Sequence, residues 1–169
     1  MAGRYDEGRH NAGRHNRHNE EERTVATNRR ARYDFEILER FEVGIVLTGS
    51  EVKSLRAGRV ALTDAFARMR DGEVWLEGMH VAPYEQGDTR THQPLRPRKL
   101  LLHAREIGKL QAMTAERGFS LVPLRVYFSH GIAKIELAVA RGKRRHEKRQ
   151  SIATREAQRE IERSTGRRR

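Results

Sequence analysis

One stretch of the chain, Phe41 to Gly58, constrains the fold more than any other. It begins with apolar side chains at every second position, which predicts a strand with one buried face: Phe41, Val43, Ile45 and Leu47. Gly44 interrupts this run where a bulge or a close backbone approach would need a glycine. Thr48 and Glu51 then have the spacing of a capping box, and Gly58 ends the helix that they begin. We therefore expect a strand followed by a short capped helix.

Hairpin patterns recur along the rest of the chain. Asp71-Gly72 separates two short strand-like runs and predicts a tight antiparallel turn. Residues 122–128 and 133–139 alternate apolar and polar side chains, so we expect each strand to have one solvent-exposed face. Residues 82–97 hold three of the four prolines and predict an irregular loop, whereas residues 104–118 predict a helix. This mainly β pattern with short helices suits a small closed antiparallel barrel, and an open sheet packed by helices is the alternative.

The net charge of +12 is concentrated at the C-terminus. Residues 1–23 carry no net charge, residues 24–140 carry +4 and residues 141–169 carry +8. Like charges at this density cannot be buried unpaired, so we predict a basic tail that is disordered in the free protein. A weak apolar stripe through Ile152 and Ile161 predicts that the tail becomes helical when phosphates neutralise it. On composition alone, a merely solubilising tail is the alternative.

The other end of the chain is of low complexity. Arg-His-Asn occurs three times within residues 9–19, so we predict that residues 1–23 form a disordered extension. A metal site at His10, His15 and His18 is the less favoured interpretation, because no carboxylate or thiolate supports it. The chain has no cysteine, no secretory h-region and no apolar run of about 20 residues. We therefore expect a cytoplasmic protein without a membrane segment, with one folded domain at residues 24–140 and a tail at 141–169.

A basic cluster of Arg29, Arg30 and Arg32 lies directly before the strand of residues 41–47. Phosphate contact and a solvated strand entry are equally good explanations of such a cluster taken alone. Farther along, Arg98 and Lys99 precede an apolar triplet, Leu100 to Leu102, whose default location is the core. These cations and Lys53 are candidate RNA-binding residues, and the residues alone leave a solvated surface equally open.

Five motifs together resemble the SsrA-binding protein (SmpB) family, whose members bring transfer-messenger RNA to stalled ribosomes in bacteria. They occur in the family's order, at its approximate spacings, and cover roughly residues 24–163: GIVLTGSEVKSLRAG, MHVAPYEQG, RKLLLHAREIGKL, LVPLRVYF and GKRRHEKR. The resemblance implies an OB-like β-barrel that binds the transfer-RNA-like domain of this RNA. It also implies that the tail probes the decoding centre and the vacant messenger channel of the small subunit. Elongation factor Tu and alanyl-tRNA synthetase would act as partners through the RNA.

The resemblance also assigns roles to individual residues. Asn28, Glu42 and Leu101 occupy positions that the family uses against its RNA. The ribosome-binding part of the tail would comprise Gly142, Lys143, Arg144, Arg145, His146, Glu147, Lys148, Arg149 and Ile152. The sequence departs from the usual pattern at Glu147, where aspartate is common, and at Ser50, where threonine is common. Glu147 keeps the charge but moves it one methylene outwards.

Two classes of function remain at this point. The first is a non-catalytic RNA adaptor, which recognises the shape of a folded RNA and needs neither cofactor nor metal. The second is an RNA-processing or RNA-modifying enzyme on a basic scaffold. That class requires convergent acid–base residues, a metal set or a glycine-rich nucleotide loop, and the sequence has none of these at a usable spacing. His80 and His103, for example, have no partner at a diagnostic distance along the chain. We therefore favour the adaptor.

Overall fold

The computed structural model describes residues 22–84, 92–116 and 118–166, and this part of the chain is mainly β. Its strands are β1 (Glu22–Thr27), β2 (Phe35–Ile45), β3 (Val60–Ala61), β4 (Phe66–Arg70), β5 (Glu73–Glu77), β6 (His80–Val81), β7 (Arg98–Leu101), β8 (Phe119–Ser129) and β9 (Ile132–Gly142). Its helices are α1 (Ala31–Asp34), α2 (Gly49–Arg56), α3 (Ala104–Ala115) and α4 (Arg145–Gly166). The Arg-His-Asn repeats, with His10, His15 and His18, lie outside the described residues.

The larger sheet is antiparallel, with the neighbour order β1-β8-β4-β5-β7-β2-β9. Because β8 also pairs with β9, the order from β8 to β9 returns on itself as a ring, and β1 is attached outside it to β8. The ladders that hold the ring together differ greatly in length. The β8–β9 and β2–β9 ladders extend over most of their strands, whereas β4 and β8 are paired only at Ala67 and Leu121. β3 and β6 form a separate small sheet.

The stretch from Phe41 to Gly58 folds as its pattern predicts, except that its strand is longer than predicted. β2 begins at Phe35, six residues before the predicted strand, and its register irregularity lies between Ile37 and Glu39. Gly44 instead permits a close approach, because a Cβ at this position would lie 3.2 Å from the Cβ of Leu101. The capping box is confirmed, since the backbone N–H of Thr48 donates to the Glu51 carboxylate at 2.8 Å.

Asp71 and Gly72 form the predicted turn between β4 and β5. Their φ values of 52° and 74° are the left-handed values that a two-residue hairpin turn requires. The residues of 82–97 that are described form neither helix nor strand, and α3 ends at Ala115, three residues before the predicted end.

The prediction of a solvent-exposed face on β8 and β9 is wrong, because both faces of these strands are buried over part of their length. One face joins the main core inside the ring. On the other face, Ala31 of α1 packs against a second apolar cluster, formed by Val122, Leu124, Ala138 and Ala140. The short helix that follows β1 therefore covers this second face, and the register shift between Pro123 and Arg125 moves Val122 and Leu124 onto it, away from the face of Val126 and Phe128.

The basic tail, predicted at residues 141–169, is largely helical. β9 continues to Gly142, which pairs with Phe35, and the backbone N–H of Lys143 donates to the carbonyl of Asp34 at 2.9 Å. α4 then occupies residues 145–166, the form that the sequence predicts for the bound tail and not for the free one. Basic and acidic side chains interleave along it at helical spacing, which favours this conformation. Residues 154–163 are exposed, so this segment of α4 does not pack on the sheet.

Candidate nucleic-acid interface

Glu42 and Leu101, which the resemblance assigns to the RNA surface, line one shallow cleft of about 290 Å³. We call it the Leu101 cleft; its other lining residues are Val43, Gly44, Leu102, His103, Glu106 and Lys134. β2 and β7 pair at Gly44 and Leu101, and this register brings the two residues to the same place. Leu101 is 52% exposed although it belongs to an apolar triplet. The cleft therefore presents an apolar side chain beside a carboxylate, a combination that suits a base or ribose better than a phosphate.

The carboxylate of Glu42 is held from two sides. The hydroxyl of Tyr127 on β8 donates to Glu42 Oε2 at 2.6 Å, and the ammonium of Lys134 on β9 forms an ion pair with Oε1. The Tyr127 side chain is buried, and burial together with the adjacent Glu42 raises the pKa of this tyrosine well above its usual range. Tyr127 therefore remains a hydrogen-bond donor at neutral pH and orients the carboxylate.

Arg125 continues this network along β8. Its guanidinium lies 4.1 Å from the centroid of the Tyr127 ring and bonds to the carboxylates of Glu136 at 2.5 Å and Glu22 at 3.1 Å. Burial opposes the charged form of Arg125, but the two carboxylates outweigh it and raise its pKa. Sequence reasoning missed Tyr127, Lys134 and Arg125 as site residues. Tyr127 and Arg125 alternate with the apolar residues of β8, and this was the only available signal.

The structure places the predicted basic residues at several points. The three arginines of the basic cluster, Arg29, Arg30 and Arg32, are exposed at the start of α1. They follow a strand, β1, that the sequence did not predict. Lys53 is exposed on α2, with its ammonium 5.6 Å from the centroid of Tyr84. Lys99 lies two residues before Leu101 on β7, so both belong to the same face of that strand, and Lys99 forms an ion pair with Glu73. Of these cations, Lys99 is the one nearest in sequence to the Leu101 cleft.

Two of the predicted contact residues, Asn28 and Arg98, have buried side chains that bond within the protein. Asn28 accepts from the backbone N–H of Ala31 and donates to the carbonyl of Pro123, both at 3.1 Å, and thereby fastens α1 to β8. Arg98 is fully buried and bonds to the Glu51 carboxylate and to the carbonyl of Met79. A guanidinium enclosed in this way cannot reach a phosphate outside the protein.

Glu51 is the acidic centre of this buried cluster. It accepts from Arg96 at 2.5 Å and from Arg98 at 2.9 Å, in addition to the Thr48 N–H. Burial raises the pKa of this carboxyl, but the hydrogen bonds from Arg96 and Thr48 and the charge of Arg98 outweigh burial and lower it. The cluster connects α2 to the loop before β7 and so supports the strand that carries Leu101.

The predicted tail residues divide between strand and helix. Gly142 ends β9, the Lys143 ammonium donates to the carbonyl of Arg32 at 3.1 Å, and Arg144 is exposed. The first turns of α4 contain five of the predicted tail residues, whose side chains the structure does not describe: Arg145, His146, Glu147, Lys148 and Arg149. Ile152 is half-buried. The tail is therefore anchored beside α1.

Two features that other classes of function require are absent from the described part of the chain. Among residues 22–84, 92–116 and 118–166, no three His, Cys, Asp or Glu side chains are grouped so that they could hold a metal ion. No helix in this part of the chain is both long enough and apolar enough to cross a membrane.

Comparison with known proteins gives consistent matches. Residues 25–167 match the family model described as SmpB protein. The chain is 58% identical over 145 residues to the SsrA-binding protein of Desulforudis audaxviator (strain MP104C), covering 86% of this chain and 95% of the relative. It is also 58% identical over 144 residues to the SsrA-binding protein of Acidothermus cellulolyticus (strain ATCC 43068 / DSM 8971 / 11B), covering 85% and 91%. A solved structure described as "tmRNA-SmpB: a journey to the center of the bacterial ribosome" is similar, with a TM-score of 0.61, 50% identity, and coverage of 75% of this chain and 93% of that one.

Proposed function

The chain belongs to the SmpB protein family, and from this membership we propose that it binds transfer-messenger RNA, the SsrA RNA, and delivers it to stalled ribosomes in trans-translation. The observation that carries the proposal is the 58% identity to an SsrA-binding protein across 95% of that protein's length. The protein acts as an RNA-binding adaptor and not as an enzyme. It works in the bacterial cytoplasm and needs no cofactor.

The ring of strands corresponds, in this proposal, to an OB-like closed barrel that docks on the transfer-RNA-like domain. Glu42 accepts hydrogen bonds from base or ribose donors, and Leu101 packs on a base or sugar beside it. Lys99, Lys53 and the exposed arginines of α1 add phosphate contacts that position the RNA without reading its sequence. The fixed position of the Glu42 carboxylate supports this assignment, because shape-specific recognition needs a preformed surface.

The tail supplies the ribosome contact. Its cations neutralise phosphates of small-subunit RNA, and α4 occupies the decoding centre and the empty messenger channel. A channel that already holds messenger excludes this helix, so the tail distinguishes stalled ribosomes from active ones. Alanyl-tRNA synthetase and elongation factor Tu act on the transfer-messenger RNA that the protein carries.

The direct test is to capture the RNA that the full chain binds in a bacterial lysate and to sequence it. Transfer-messenger RNA should be enriched over transfer RNAs, which share its acceptor-stem chemistry. An enrichment of unrelated RNAs alone would refute the proposal. Incubation of the pure protein with labelled structured RNA, with and without divalent metal, should give a mobility shift with no cleavage or modification; either reaction would favour an enzyme instead.

A further inference from the structure

The only tryptophan of the chain, Trp75, lies in the middle of β5. Its neighbours Val74 and Leu76 are fully buried in the main core. Because successive side chains of a strand point to opposite faces of a sheet, Trp75 belongs to the outer face of the ring, where it is half-buried. A half-buried indole presents part of a large, flat aromatic surface to a ligand from outside.

Three other outer side chains adjoin Trp75 across the sheet. Trp75 pairs with Lys99 of β7, and the backbone N–H of Val46, directly after β2, donates to the carbonyl of Lys99 at 3.0 Å. Leu101 lies on the same face of β7 as Lys99. Val46 is 44% exposed and Leu101 is 52% exposed, so an open apolar surface surrounds Lys99. We call these four residues the Trp75 face.

The charged side chains around the Trp75 face neutralise one another. Glu73 and Glu77 lie two residues before and two residues after Trp75 on β5, on the same side of the strand. Glu73 forms an ion pair with Lys99, and Glu77 forms one with Arg68 of β4 at 2.6 Å. Two carboxylates and two cations sum to no net charge, in a chain whose net charge is +12. Glu73 thus offsets the attraction of Lys99 for a phosphate, and the face is better suited to an uncharged aromatic group than to an RNA backbone.

The Trp75 face is continuous with the Leu101 cleft, because Leu101 belongs to both. Trp75 lies one strand across from Leu101 and two residues along, since its pairing partner is Lys99. These steps are about 5 Å and about 7 Å. An RNA that packs a base or a sugar on Leu101 therefore runs beside Trp75 as well. A second copy of the chain is the less favoured occupant, because two molecules with a net charge of +12 repel each other.

We propose that Trp75 stacks one unpaired base of the transfer-RNA-like domain, next to the base or sugar that Leu101 contacts. This inference rests on the proposed function, because that function makes this domain the ligand of the adjoining cleft. Bases inside a duplex are covered by their neighbours on both faces, so the base that Trp75 binds lies in a loop of the domain. The salt dependence of RNA binding comes from phosphate contacts, so this stacking contact keeps its strength as the salt concentration rises.

Because Trp75 is the only tryptophan, the intrinsic fluorescence of the full chain reports on this contact directly. Titration with the isolated transfer-RNA-like domain should quench the emission, since a base stacked on an indole quenches it, and the quenching should saturate together with filter binding. A blunt RNA duplex of similar length, at a concentration that also saturates the protein, should quench less because it offers no unpaired base. Saturated binding of the domain with unchanged emission would overturn the inference, and so would equal quenching by the duplex.

Substitution of Trp75 measures the contribution of the ring. Trp75→Leu keeps an apolar side chain but removes the aromatic face, so affinity for the domain should fall about 5- to 100-fold. The factor should be the same at about 50 mM and about 200 mM salt. Trp75→Phe should retain most of the affinity. Leu38→Ala is the matched control and should change nothing, because Leu38 is also an exposed apolar residue (45%) but lies near the start of β2, whereas Val46 follows its end.

Undiminished binding by Trp75→Leu would refute the stacking contact, and an equal loss for Trp75→Phe and Trp75→Leu would refute it too. Urea denaturation shows whether Trp75→Leu folds; if it does not, the quenching of the unaltered protein decides the question. Self-association of the free protein that Trp75→Leu abolishes, with no effect on RNA binding, would assign the face to a second copy of the chain. If the unaltered protein did not bind the domain at all, the proposed function itself would fail, whereas the other results leave that function standing.

Discussion

Two glutamates show how the surroundings of a residue decide its use in this basic protein. Glu42 is half-exposed, and its carboxylate is oriented by Tyr127 and Lys134 at the edge of a cleft. Glu51 is fully buried, and its carboxylate holds Arg96 and Arg98 inside the fold. A ligand can reach the carboxylate of Glu42, whereas the carboxylate of Glu51 is enclosed and bonded within the fold. Substitutions of the two should therefore affect different measurements.

Reversal of charge at Glu42 should weaken RNA binding even though it makes the protein more basic. Glu42→Lys removes the acceptor for base or ribose donors and places a cation against Lys134, so affinity for the transfer-RNA-like domain should fall at least tenfold. Filter binding measures this. Glu36→Lys is the control, because Glu36 lies on the same strand and also pairs with a cation, Arg141. Equal or tighter binding by Glu42→Lys would make Glu42 an ordinary surface acid.

Tyr127 should contribute to RNA binding through Glu42. Tyr127→Phe keeps the buried ring and removes only the hydroxyl that orients the carboxylate. A hydrogen bond to a charged group of this kind affects affinity by roughly threefold to tenfold when it acts through a second residue. Isothermal titration with the transfer-RNA-like domain should show this loss, and Tyr33→Phe should not. In a Glu42→Ala background the Tyr127 substitution should have no further effect; an undiminished effect there would disprove the positioning role.

The Glu51 cluster should make stability depend on pH at the acidic end. Because the pKa of Glu51 is lower in the folded protein than its ordinary value of 4.5, its contribution is complete above pH 4.5 and is lost as the pH falls through the folded value. Glu51→Gln leaves buried Arg98 without its counter-ion and should cost about 3–5 kcal/mol in the free energy of unfolding at pH 7. Urea denaturation measures both effects. Glu36→Gln, at an exposed site, should change neither.

At the scale of elements, local patterns predicted local structure well. The capping box and the Asp71-Gly72 turn are confirmed because each depends on residues within four positions of one another. β1 and α1 were not predicted, since their apolar residues are few and pack against distant parts of the chain, as Ala31 does against β8 and β9. The burial of Arg98 was missed for a related reason. Its partner Glu51 lies 47 residues earlier, and no local pattern reveals such a pairing.

The tail helix should be required for ribosome rescue and dispensable for RNA capture. Truncation after Arg144 keeps the Gly142 pairing and the Lys143 hydrogen bonds, so the fold and the affinity for the transfer-RNA-like domain should persist. Tagging of nascent chains on stalled ribosomes should be abolished in reconstituted translation. The control is a scrambled tail of equal charge, which should not restore tagging. Full rescue by the scrambled tail would mean that α4 acts only through its charge, and it would disprove the roles proposed for His146, Lys148 and Arg149.

At the scale of the whole molecule, charge and shape are divided between two ends. The last 29 residues carry a net charge of +8, whereas residues 24–140 carry +4. This division of charge can be read directly from the sequence. The family resemblance, and not the pattern of residues, placed Glu42 and Leu101 on one surface, and the structure has both in one cleft. The cleft of about 530 Å³ where α1, β4, β8 and the end of α3 meet could not be predicted, because no sequence period reports such a junction.

The uneven charge predicts two different salt dependences. Each phosphate that a cation neutralises releases counterions, so binding to ribosomal subunits should weaken steeply between about 50 and 200 mM salt. The protein truncated after Arg144 should give a distinctly shallower slope with the same subunits. Binding of either protein to the transfer-RNA-like domain should have the same slope, since that contact belongs to the folded part. Identical subunit slopes for the two proteins would place the electrostatic contact outside the tail.

The long ladders of β2, β8 and β9 have a mechanical consequence. β9 is paired along nearly its whole length on both sides, and it connects the Leu101 cleft directly to the start of the tail. If the proposed sites are the RNA contacts, the protein holds its two RNA partners at a fixed separation, because neither end of β9 can shift without breaking a continuous row of backbone hydrogen bonds. Any slack that accommodation on the ribosome demands must come from the RNA, or from the chain beyond Gly142.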